Sequence, residues 1–198
     1  MRQYSDFSGD HSSPMRRYVV LGALILAAAL TRLVPHPPNF TPITAIALFG
    51  GTLLPLRWAF LLTFGALGLS DVALGILAGN WSVTFHTTLP AVYASFAIAV
   101  LLGSRVLRWR LTLGRLAGTT FAASLLFFLV TNFAVWLFGD LYPRTGEGLI
   151  ACYGAALPFF RNSLLGDVVY TGLLFGSAAL LGYLRSPAYL PHGTIREP

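Results

Sequence analysis

The stretch LAGTTFAASLLFFLVTNFAVWLF, residues 116–138, runs for 23 residues without one ionisable side chain. A bilayer core takes roughly 20 apolar residues as helix. Unpaired backbone amides are too costly in lipid for any spanning form other than a helix or a closed barrel. The stretch lacks the strict alternation of barrel strands, so it reads as a membrane-crossing helix. Outward from it, the same pattern recurs between Tyr18 and Leu184, with the few ionisable groups at the seams. We place six membrane segments: 18–34, 41–54, 57–77, 87–107, 116–138 and 163–184. The composition excludes an ordinary soluble domain: 56% of residues are hydrophobic, 10% are charged and the mean hydropathy is +0.70. The expected fold is all-α, one six-helix membrane domain over 16–185. A disordered polar tail over 1–15 and a second tail over 186–198 flank it.

The punctuation is mostly proline. Pro35-His36-Pro37-Pro38 ends the first segment, because proline lacks the amide donor and restrains the residue before it. Pro55 closes the second, which is short for a full crossing. An additional apolar stretch, 146–160, is bounded by Gly146 and Pro158, and reads as a segment that re-enters the membrane or lies over its surface. Met15-Arg16-Arg17 and the apolar residues after it have the order of a signal peptide, but the run continues to Val34 and further spans follow.

All thirteen basic residues are arginine, and they are scattered along the chain. The net charge of +6 therefore reads as a set of topology signals, not as a nucleic-acid surface. With the N-terminus inside, ten arginines fall on the inner side, and only Arg32, Arg144 and Arg161 on the outer side. Both termini are expected to be cytoplasmic, and the location a bacterial inner membrane crossed several times. A lone cysteine, Cys152, excludes an internal disulfide.

That orientation gathers the unusual polar residues outside. The expected pocket combines the loop after the first helix, with Asn39, the loop 80–88, and the segment 140–162. Trp81, Phe85, Trp136, Tyr142 and Tyr153 offer stacking surface, and Asn80, His86, Asn132, Arg144 and Asn162 offer direction. Two carboxylates lie within apolar helices, Asp71 deep in the third and Asp167 in the outer part of the last. There an ionised group costs roughly 2.5–3.5 kcal/mol. Each needs a partner, and Arg32 and Arg161 are the candidates; helix-to-helix hydrogen bonding is the ordinary role for both carboxylates, and a substrate or gating contact is the functional alternative. His86 could ligate a metal through a ring nitrogen, or cap the loop. No HxxxH, CxxC or HExxH spacing and no GxSxG elbow occurs, and a chain without lysine cannot hold a phosphate loop. No resident cofactor is expected, and any use of ATP would need a partner chain. Ala23 and Ala27 form a small face on the first helix that another helix could approach closely.

Six helices with both ends inside, the Ala23–Ala27 face and polar outer loops resemble an S component, the substrate-binding membrane subunit of energy-coupling-factor vitamin transporters. The run Arg32-Leu33-Val34-Pro35-His36-Pro37-Pro38-Asn39-Phe40-Thr41-Pro42, followed by Ala45 to Gly51, is similar to the solitary cobalamin-type members and related small bacterial membrane proteins. The resemblance implies a non-enzymatic protein that binds a vitamin, with a corrinoid foremost, in contact with lipid and with or without a coupling subunit and its ATPases. It also implies a departure. Those members carry a cobalt-binding cysteine after the third helix, where this chain reads Gly79-Asn80-Trp81. His86 as axial ligand, Cys152 from the loop after the fifth helix, or a different vitamin are the alternatives. Two rival readings are an intramembrane enzyme using Asp71, His86 and Asp167 on a lipid-like substrate, and a structural membrane subunit.

Overall fold

The computed structural model describes residues 14–184, and among these it is all-helical, with no strand. In chain order the helices are α1 (Pro14–Leu30), α2 (Ile43–Leu53), α3 (Leu56–Ala78), α4 (Leu89–Leu102), α5 (Leu113–Phe138) and α6 (Gly146–Leu180). A π-helical turn, Gly103–Leu107, prolongs α4. Four spans, Leu56–Ala78, Leu89–Leu107, Leu113–Phe138 and Gly146–Leu180, are long and apolar enough to cross a membrane, which makes this a multi-pass membrane protein. α1 begins at Pro14, inside the expected tail, with proline at the first helical position where its missing amide costs nothing. The rest of both expected tails lies outside the described residues.

The architecture turns on α2. It has 11 residues and all of them are buried. Each of the other five helices packs against it. Its sequence explains why so many neighbours fit, since Ala45, Ala47, Gly50 and Gly51 present almost no side chain. A Cβ on Gly51 would run into the Val100 carbonyl of α4, and one on Gly103 into the Leu48 carbonyl of α2, so these backbones touch directly. Phe49 fills the remaining space edge-on to Phe175 of α6, with ring centroids 5.2 Å apart.

Length decides the rest. At about 1.5 Å per residue, α2 is roughly 16 Å long and α3 roughly 34 Å. Leu54 and Pro55 alone join them, so the N-terminus of α2 stops level with the middle of α3. Arg108, just past the π turn, donates to the Gly51 carbonyl at 2.7 Å and to that of Leu54. A cation thus answers the negative end of α2.

The stretch 146–160 is neither re-entrant nor superficial. It is the first part of α6, a single 35-residue helix that carries Pro158 in its interior. Staying helical past a proline forfeits one backbone bond, whereas leaving the helix in apolar surroundings would orphan several. At roughly 52 Å, α6 outreaches the ~30 Å hydrocarbon core. Thr145 caps its start, accepting from the Gly148 amide at 3.2 Å.

Candidate functional site

Because α2 stops half way, the bundle is hollow beyond its N-terminus. The space is closed by the linker 34–42, which proline keeps out of helix and in which Asn39 adopts the left-handed conformation (φ 64°). Asn162 Nδ2 donates to the Pro38 carbonyl at 3.1 Å and Ser163 Oγ to that of Asn39 at 3.3 Å, tying the linker to α6. Gly166 lets it lie close: a Cβ there would stand 3.1 Å from the Thr41 nitrogen.

The resulting cavity has a volume of about 330 Å³. Asn39, Thr41 and Ile43 line it from the linker and the first turn of α2, Leu67, Asp71 and Leu74 from α3, and Leu89, Val92 and Phe96 from α4. Phe127, Phe128, Thr131, Asn132 and Val135 of α5 and Phe159, Phe160 and Ser163 of α6 complete the walls, with Arg32 and His86. The aromatic walls are pre-assembled. Phe96 stacks on Phe127 at 5.1 Å, and Phe128 meets Phe160 at 4.8 Å.

Arg32 belongs to the short turn Thr31–Leu33 that follows α1. Its Nη1 lies 2.8 Å from Asp71 Oδ1, and the two side chains are only 13% and 14% exposed. The same nitrogen donates to Ser70 Oγ and, at 3.4 Å, to the Leu67 carbonyl. The expected answer to Asp71 is therefore the observed one. The first amides of a helix have no intrahelical partner, and Ile43, the first residue of α2, lines the same space. An anionic group entering it would meet those dipoles and Arg32, and a donor group would meet Asp71.

Of the residues expected to form the pocket, Asn39, His86 and Asn132 line the cavity and the others do not. Asn80 is spent on its own turn, accepting from the Ser82 amide at 3.0 Å and the Ser82 hydroxyl at 2.8 Å. Trp81 and Phe85 are exposed and stack on each other at 6.2 Å. Trp136 Nε1 donates to the Pro143 carbonyl at 3.0 Å, closing the α5–α6 connection. Tyr153 stands behind the wall, its hydroxyl donating to the Leu129 carbonyl at 2.7 Å and its ring against Phe128. Tyr142 is half-buried and Arg144 exposed, both away from the cavity. Asn162 acts indirectly, through the linker. His86 is exposed at the rim, with Nδ1 2.8 Å from Thr88 Oγ1.

Three further expectations are corrected. Cys152 is not in a loop; it is buried in α6, with Sγ 3.5 Å from the Asn132 carbonyl, and it does not line the cavity. Asp71 and Asp167 exchange depths: Asp71 reaches the cavity, whereas Asp167 lies one turn past Ser163, away from it. The reason is that α6 starts at Gly146 instead of Ser163, which puts Asp167 well inside the helix. Arg161 is exposed and Asp167 is answered by the Ser124 hydroxyl of α5, at 2.6 Å. Asp71, His86 and Asp167 are thus not gathered around one centre, and no group of three metal-binding side chains occurs among the described residues. Sequence reasoning missed the cavity's aromatic walls, Phe96, Phe127, Phe128, Phe159 and Phe160. Their signal was present as paired aromatics in apolar helices, indistinguishable from lipid-facing ones.

No curated protein and no solved structure matches the chain significantly. One family model does, over residues 12–189, and the chain belongs to the family it describes, a family of unknown function, DUF6580.

Proposed function

We propose that the chain is a membrane receptor for uptake of a vitamin-sized organic micronutrient, bound in the cavity above α2 with the cavity facing outward. The observation that carries this reading is the cavity itself: a ligand-sized space (pockets for small molecules run from roughly 300 to 1,000 Å³) with one ion pair set into aromatic walls. Its place within the membrane, at the N-terminus of a helix that spans half the bundle, is the arrangement in which transporters hold anionic groups of their substrates.

The orientation follows from charge. Arg16, Arg17, Arg57, Arg105, Arg108, Arg110 and Arg115 lie at the end away from the cavity, and Arg32, Arg144 and Arg161 at the cavity end. The positive-inside bias turns the cavity outward and supports six crossings or part-crossings with both termini inside, in a bacterial inner membrane. The volume favours a compact heterocycle bearing an anionic group; a corrinoid, several times larger, would have to sit across the mouth, where His86 is the available axial ligand. Ala23 and Ala27 face outward on α1, free to meet a coupling subunit.

Calorimetry of the purified full-length protein against a panel of water-soluble vitamins, with cobalamin among them, tests the reading. We expect one anionic heterocycle to bind, more weakly in Phe128→Ala, with cobalamin binding abolished by His86→Ala if a corrinoid is the ligand. A folded protein that binds no member of the panel refutes it, and turnover of a lipid by the same preparation would favour the intramembrane enzyme.

A further inference from the structure

Below the cavity the bundle holds a second polar centre that ligand binding does not use. Asp167 of α6 is 3% exposed. It accepts from Ser124 of α5 at 2.6 Å, and Thr44 of α2 supplies another side-chain hydrogen bond. One turn further from the cavity, Thr120 of α5 and Thr171 of α6 bury hydroxyls that have no partner. Both threonines line a groove of about 410 Å³ between α5 and α6, on the side away from the cavity. One turn the other way, Ser163 lines the cavity. Oxygen-bearing side chains therefore recur at every turn of α6, at 163, 167 and 171, between the cavity and the α5–α6 groove.

Among the described residues no cation answers this carboxyl. α2 has no ionisable residue, and Arg115, at the far end of α5, is exposed. On α6, Arg161 is exposed, Tyr170 packs on Phe40, and Cys152 and Tyr153 are bonded to α5 carbonyls. Asp71 has Arg32; Asp167 has only neutral hydroxyls, so a proton is the charge that can neutralise it.

We propose that Asp167 is a proton-binding site, and that the hydroxyl track from Ser163 to Thr171 connects it to the cavity and to the α5–α6 groove. The step is a reversible protonation of the carboxylate to the neutral carboxyl, with no other reactant. Resting on the uptake reading, it would let ligand loading respond to the proton gradient. Ser163 links the two sites physically, because its hydroxyl holds the linker over the cavity while its helix carries Asp167 one turn away.

Infrared spectroscopy of the full chain in phospholipid bilayers tests the site without any ligand, so its failure is separable from failure of the vitamin panel. We expect a protonated-carboxyl C=O band that disappears on raising the pH. It should be missing from Asp167→Asn and kept in Asp71→Asn. If Asp167→Asn fails to fold, Asp167→Glu in protein carrying ¹³C-carboxyl aspartate should keep a band without the isotope shift. Thr171→Val should slow deuterium exchange of the band without removing it. A band that persists at every pH, or never forms in folded protein, overturns the site; unchanged exchange in Thr171→Val overturns the track.

Discussion

The Arg32–Asp71 pair is the most exposed to test. In Arg32→Ala, the Asp71 carboxylate loses its cation at 2.8 Å, and Ser70 Oγ and the Leu67 carbonyl lose a donor. Breaking one side of a fully buried pair costs about 3–5 kcal/mol. These side chains keep 13% and 14% exposure and face a cavity that admits water, so we take the cost as about 2–3 kcal/mol. Asp71→Ala should cost less, because Arg32 retains its hydrogen bonds to Ser70 and Leu67. The double substitution should then fall short of the sum of the singles by about 1.5 kcal/mol. Unfolding of the full-length protein in mixed micelles with rising dodecyl sulfate, followed by far-ultraviolet circular dichroism, measures all three. Additivity within about 0.5 kcal/mol would show that the pair contributes no coupling, and would remove the electrostatic argument for the site.

Gly51→Ala should destabilise by about 1–3 kcal/mol, since the new methyl meets a backbone carbonyl that cannot swing aside; Gly22→Ala, with open space around it, should be neutral or stabilise by about 0.5–1 kcal/mol, and the same denaturation assay compares them. Ala23→Leu and Ala27→Leu lie on an exposed face and should leave stability and ligand binding unchanged; loss of whole-cell uptake in these variants would locate a coupling subunit there, and undiminished uptake would show that the chain works alone or couples elsewhere.

What the sequence made legible was whatever is settled locally. The proline cluster after α1, the shortness of α2 and the need of Asp71 for a cation can each be read from a few adjacent residues. The cavity cannot, because it is an absence, the space left where a short helix ends inside a ring of longer ones. The conspicuous residues of the outer loops misled for the same local reason: Asn80 and Trp136 have striking chemistry that their own turns consume. Pro158 reads locally as a stop signal that splits α6 in two, and only the surroundings decide that continuing is cheaper.

The buried half-length helix also bears on how the protein is made. A helix that crosses the bilayer alone can be inserted first and packed later. α2 has no such option, since about 16 Å of helix leaves the ends of its backbone stranded in lipid until its neighbours surround it. Four of those neighbours, α3, α4, α5 and α6, are translated after it. α2 must therefore wait at the membrane surface or inside the insertion machinery until they arrive, and assembly of this bundle ends with the seating of one of its earliest segments.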